Sequence, residues 1–193
     1  MKFLRPVCLM GMTFSIICCV GGPAPQVYVM TAAGDSKQAQ TTDASIPALQ
    51  VETASLPAFL DNSDILVRRG PYALDSRSTA QWGERLSLGI THALSADLTK
   101  RLPAYRVSLE RSETPASLRL QLEVDSFDVF PDGHCILTAN WTIVAKSGLT
   151  HPASSRGVFV TPNSRANHVS DAELVSAMAG TIAQLADAIV SSM

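Results

Sequence analysis

From Leu118 the chain alternates, Leu118, Leu120, Leu122 and Val124 standing against Arg119, Gln121 and Glu123. A period of two sends successive side chains to opposite faces, so "LRLQLEVDSFDVF" predicts a half-buried strand. Pro131-Asp132-Gly133 predicts a turn, because proline and glycine supply its backbone angles and aspartate can bond back onto its own main chain. "HCILTANWTIVA" then returns as the hairpin partner, with Trp141 large enough to anchor packing. "SSRGVFVTP" adds a further strand.

Two stretches carry the other period. In "STAQWGERLSLGITHALSADLTKRL", Trp82, Leu86, Ile90, Ala93, Leu94 and Leu98 recur at three- and four-residue spacing. Ser78 followed by Gln81 offers a capping box. Lys100 and Arg101 suit the negative end of a helix dipole, and Pro103 stops the run. The spacing therefore predicts a long helix with Trp82 buried in its first turn. The second stretch opens on Ser170 and Glu173, another capping box, and runs through "LVSAMAGTIAQLADAIV". Leu174, Met178, Ile182, Leu185 and Ile189 fall on one stripe of it, suited to a core.

Between and before these lie shorter signals. "ALQVETASL" predicts a strand, and "PAFLD" a helical turn opened by Pro57. "DILVRRGPYALD" reads as two short strands about the Gly70-Pro71 break, and "YRVSLE" as one more. Strands alternating with two long helices, around a central hairpin, imply an α/β sandwich with a mixed sheet.

The N-terminus has a different character. Lys2 and Arg5 precede an uncharged run from Val7 to Cys19, too short for a permanent membrane span but suited to a secretory signal. It ends Ile16-Ile17-Cys18-Cys19, which resembles the lipobox of bacterial lipoproteins, whose cysteine is acylated and becomes the first residue after cleavage. Cys19 is the favoured acceptor, leaving the small Cys18 before the cut; acylation of Cys18 instead would put β-branched Ile17 there. The expected organisation is a signal peptide at 1–18, a lipid-anchored tether at 19–45 with a short strand near 26–30, and one domain at 46–193. Val20 in place of the aspartate that retains lipoproteins at the inner membrane points to the outer membrane.

This processing changes the cysteine and charge counts. Cys8 and Cys18 leave, Cys19 is lipidated, and Cys135 remains alone, so the mature domain forms no internal disulfide. Cleavage removes Lys2 and Arg5, two of 15 basic residues, and none of the 17 acidic ones, taking the formal charge from −2 to −4. With no basic run, nucleic acid is excluded as an expected partner.

Catalytic patterns are sparse. His92, His134, His151 and His168 include no helical i, i+4 pair, and H-E-x-x-H, C-x-x-C and G-x-S-x-G are absent. His134 and Cys135 are adjacent, so on a strand they face opposite sides and do not share a metal. Asp125 and Asp128 read as solvated strand residues. Arg68 and Arg69, side by side in a mildly acidic chain, are candidates for recognising an acidic partner surface. No catalytic residue, metal or cofactor is expected.

One resemblance runs through the chain. Leu56-Pro57, Phe59-Leu60-Asp61, Ile65-Leu66-Val67-Arg68 and Trp82 occupy places similar to those in PqiC-like (YmbA-like) ABC-type transport auxiliary lipoproteins. "LTANWTIV" with Trp141 resembles another strand of that family, and "PQVYVM" its tyrosine-containing strand soon after the lipid cysteine. The resemblance implies a three-layer α/β sandwich, with a mixed sheet and two long helices, similar to the anticodon-binding domain and the TolB N-terminal domain. It implies a non-enzymatic outer-membrane lipoprotein of an intermembrane transport system for lipids or toxic solutes. The expected partner is a periplasm-spanning MCE-domain protein, and a homo-oligomeric ring is a further expectation. The alternatives are a lipid-binding carrier, which needs a large apolar cavity, and a periplasmic envelope hydrolase, which needs a nucleophile or acid with a base in reach.

Overall fold

The computed structural model describes residues 24–31, 46–109, 116–145, 153–164 and 168–193. Cys18, Cys19, His151 and the signal lie outside them. The elements run β1 (Gln26–Tyr28), β2 (Ala48–Val51), β3 (Asp64–Arg68), β4 (Leu74–Trp82), α1 (Leu86–Arg101), β5 (Arg106–Ser108), β6 (Leu118–Val129), β7 (Cys135–Ala145), β8 (Ala153–Thr161) and α2 (Asp171–Ser191). All eight strands form one mixed sheet, and with the two long helices they make the α/β sandwich expected.

The 12-residue β6 is the hub. Along one side it pairs antiparallel with β7, which continues to β8. Its other side is shared: Leu118–Leu120 pair in parallel with Leu49–Val51 of β2, and Val129 pairs with Val67 of β3. Beyond β2 lies β5, and beyond β3 lie β4 and then β1. A bulge between Val124 and Ser126 shifts the phase of β6. Leu120, Leu122 and Val124 are buried before it, and Phe127 and Val129 after it, so one extra residue keeps five side chains in the core. Cys135, Leu137, Ala139 and Trp141 of β7 meet them on the same face.

The start of the first helix departs from expectation. Residues 74–82 form β4, antiparallel to β3 and parallel to β1, and α1 begins only at Leu86. Ser78 and Gln81 are therefore strand residues and make no capping box. Trp82 is core, 4% exposed, but it closes a strand. Ala80 and Trp82 are two apart and both buried, which is strand period, whereas Trp82 and Leu86 are four apart and mimic the helix. Arg85 at the N-cap position makes no side-chain cap bond. Instead Asp61, from the turn 57–61, accepts the Ser87 N–H at 3.0 Å, and Asn62 O accepts the Leu86 N–H at 3.3 Å.

Helix α2 follows expectation. Ser170 Oγ accepts the Glu173 N–H at 3.3 Å while Glu173 Oε2 accepts the Ser170 N–H at 2.8 Å. Its stripe of Leu174, Met178, Ile182, Leu185 and Ile189 is buried. By length and composition α2 would suit a membrane span, but that stripe packs across β6, β7 and β8 in the domain core. Helix α1 packs against α2 and β5. Arg101 of α1 ties the helices together, pairing with Asp97 at 2.9 Å and with Asp187 of α2 at 2.6 Å, and donating to Ala183 O at 3.2 Å.

Residues 24–31 belong to this compact body: β1 pairs with Ala80–Trp82, and Met30 is 2% exposed in the core.

Candidate functional site

The two candidate arginines sit where β3 runs into its turn, and strand geometry separates them. Arg68 and Arg69 are consecutive, so their side chains take opposite directions. Arg68 donates from Nε to Asp128 Oδ1 at 2.7 Å, both side chains being largely covered. Arg69 turns the other way and donates to Asp75 Oδ2 at 2.9 Å, half-exposed. The pair is thus two ion pairs on two surfaces, joined by the Gly70 turn, whose φ of 135° needs a residue without Cβ. Tyr72 at the turn is fully in solvent.

Arg69 opens onto a groove of about 470 Å³. Val67 and Leu174 line it together with Arg77, Asp132, Ser164 and His168. A second groove, about 420 Å³, continues along β4 past Arg69 and Arg77. Three elements meet here: the β3–β4 hairpin, the β6–β7 turn and the start of α2. Arg77 and Thr79 of β4 hold Asp171 at the first position of α2, donating to its two carboxylate oxygens at 2.7 Å each. At the turn, His134 stacks on Phe130 with ring centroids 4.0 Å apart, and its Nδ1 meets Asp132 at 2.5 Å. Burial alone would raise the Asp132 carboxyl, but the bonds from His134 hold it below the ordinary carboxylate range.

Asp75, Asp132 and Asp171 around the grooves are each held by a basic neighbour. These grooves are open and lined by charged and polar as well as apolar residues, unlike the enclosed apolar volume a lipid carrier requires. Asp125, expected to be solvated, is held by Asn140 at 3.1 Å and Arg156 at 2.9 Å. Cys135 is fully buried, and burial pushes its thiol up to about 12, so it carries no nucleophilic thiolate at neutral pH. Among the described residues no group of three or more His, Cys, Asp or Glu side chains could hold a metal ion. The surface built here suits recognition by shape and charge.

The Arg77–Asp171 contact went unread in the sequence because its partners lie 94 positions apart, with no local pattern to link them.

A comparison with curated proteins gives no match. Among solved structures, the fold is similar to the crystal structure of an uncharacterised protein, with a TM-score of 0.72 and 16% identity, covering 88% of this chain and 98% of that one. It is also similar to a Xanthomonas campestris protein of the DUF330 family, with a TM-score of 0.64 and 16% identity over 86% of this chain and 92% of the other. A subunit of a PelC dodecamer from Paraburkholderia phytofirmans is more distant, at a TM-score of 0.42 and 14% identity, covering 77% and 90% of the two chains. The family model for the ABC-type transport auxiliary lipoprotein component matches residues 28–190, from β1 to the last turn of α2, and the chain belongs to that family.

Proposed function

We propose that this chain is an outer-membrane lipoprotein, acylated at Cys19, that serves an ABC/MCE-type intermembrane transport system as a non-enzymatic accessory subunit. It receives the periplasmic end of the MCE-domain partner, and the cargo is lipid or a toxic solute. The observation that carries this reading is the family match across nearly the whole folded body. The grooved end of the molecule supports it, because its charges are arranged for contact and Arg69 remains half-exposed. Arg69 faces the acidic partner surface, while Arg68 supports the hairpin from beneath through Asp128. A ring of copies would use the outer strands β1 and β8, beyond which no further strand pairs among the described residues; Val158 and Val160 of β8 stand out to solvent.

Co-purification of the membrane-extracted protein with the MCE protein of the same system tests the reading. The complex is expected to survive Arg68→Lys and to weaken on Arg69→Glu. Repeated failure to associate, together with normal envelope permeability in a deletion strain, would overturn it. Cys19→Ala is expected to release the protein from the membrane fraction.

A further inference from the structure

We propose that the apolar shoulder formed by Val27, Val29 and Phe59 lies against the phospholipid bilayer, so that the lipoprotein has a fixed membrane-facing side as well as an acyl anchor. The proposal rests on the acylation of Cys19 put forward above.

Val27, Val29 and Phe59 are 55%, 57% and 54% exposed. Single exposed apolar residues are ordinary, but Val27 and Val29 both pack on Gly83 in the link from β4 to α1, and the turn that carries Phe59 is fastened to the start of α1. Val27 and Val29 are two apart on β1 and its extension, and both side chains close over Gly83: a Cβ there would meet Val27 Cγ1 at 3.1 Å and Val29 Cγ2 at 3.4 Å. Phe59 lies in the turn 57–61, which Asp61 fastens to the same junction through Ser87 and Arg85. Leu88, in the first turn of α1, is also 38% exposed.

The shoulder is mounted rigidly. Gln26–Tyr28 are paired in register with Ala80–Trp82, Gly83 N–H donates to Tyr28 O at 2.8 Å, and Met30 is buried. It is also the part of the folded body nearest to the anchor along the chain. Val27 follows Cys19 by eight residues, which reach at most about 28 Å when fully extended. A bilayer holding the acyl chains is therefore always within reach of this side. Apolar side chains of an anchored body gain by entering the boundary between headgroups and acyl chains, the more so because the anchor has already removed most of the cost of encounter. Arg85, two residues after Gly83, keeps its side chain 67% exposed while it pairs with Asp61, and its outer face suits lipid phosphates.

The other exposed apolar pair, Val158 and Val160, has no such link to the anchor. It lies on β8, at the opposite edge of the sheet from β1.

The test uses the full chain, processed in a Gram-negative host and reconstituted in phosphatidylethanolamine/phosphatidylglycerol vesicles. Cysteine is introduced as Phe59→Cys, Val29→Cys or the control Val158→Cys, and labelled with an environment-sensitive fluorophore; buried Cys135 stays unlabelled. Intact mass is read on the same samples. The expected result is acylated protein whose emission blue-shifts at positions 59 and 29 and is quenched by nitroxide-bearing lipid, with neither change at 158. Acylated protein with water-like emission at both 59 and 29 overturns this proposal alone. Protein without acyl mass removes the anchor and this proposal together.

Discussion

Asp61 accepts the backbone N–H of Ser87 at 3.0 Å, so the N-terminus of α1 is capped from 26 residues upstream. The same carboxylate pairs with Arg85. One side chain thereby closes the turn after β2 onto the helix that follows β4. Asp61→Ala is expected to cost about 1–2 kcal/mol in urea unfolding, the upper range for a lost N-cap. Asp61→Asn keeps an acceptor and is expected to cost less. Equal losses for the two variants would mean that the charge, not the cap, carries the effect.

The same residue sets a pH dependence. Burial alone would raise the Asp61 carboxyl, but the hydrogen bonds from Ser87 and the charge of Arg85 more than reverse that, holding it below the ordinary range. A depressed folded pKa gives stability that is fully present above the unfolded value, roughly 3.9, and lost as pH falls through the folded value. The stability difference between wild type and Asp61→Asn is therefore expected to be flat from neutral pH to about pH 5 and to shrink below about pH 4. A difference that widens on acidification would refute the assignment.

Arg101 is the cross-helix clamp, and Asp97 beneath it is 1% exposed with Oδ2 unpartnered. Arg101→Met would leave a buried carboxylate without its cation, at a cost of about 3 kcal/mol. The double variant Asp97→Leu/Arg101→Met is expected to recover much of that loss, because no buried charge remains. A chemical-denaturation cycle over the four proteins measures the coupling. Additive losses would show that the two residues act separately.

Cys135 offers a probe of opening. Its buried thiol is expected to resist maleimide in the folded protein at pH 7 and to react at once in denaturant. Labelling rates in intermediate urea then report how often the β6–β7 hairpin parts from α2. Fast labelling in native buffer would contradict the burial found here.

The adjacent arginines should behave differently in stability measurements. Arg68→Ala leaves the largely covered Asp128 without its partner, at an expected cost of about 1 kcal/mol. Arg69→Ala removes an exposed pair and is expected to change stability by less than about 0.5 kcal/mol. Thermal unfolding of both variants checks this.

These contrasts explain what was legible in the sequence. The alternation of β6, the turn at Pro131–Gly133 and the capping box at Ser170 are local, and all three formed as their spacing indicated. The start of α1 was misread for the opposite reason. A four-residue step from Trp82 to Leu86 satisfied the helix period, while the true cap lay in a distant turn and the pairing of β4 with β1 and β3 overrode the local signal. Adjacency made Arg68 and Arg69 look like one basic patch, but the pleat parts them and their acceptors, Asp128 and Asp75, come from other strands. Asp128 lies 60 positions from Arg68 and is not visible from its neighbourhood, whereas Asp75 stands six positions beyond Arg69, across the same hairpin.

The surplus residue near Asp125 has an evolutionary implication. With it, two odd-numbered side chains, Phe127 and Val129, continue a row begun by even-numbered ones. Removing Asp125 would leave Val124, Ser126, Phe127 and Val129 in plain alternation with both apolar side chains still inward, whereas a single deletion elsewhere in β6 would reverse every side chain beyond it. Single-residue length changes among descendants of this gene should accordingly collect in the turns and at this one point of the hairpin, and spare the rest of its strands.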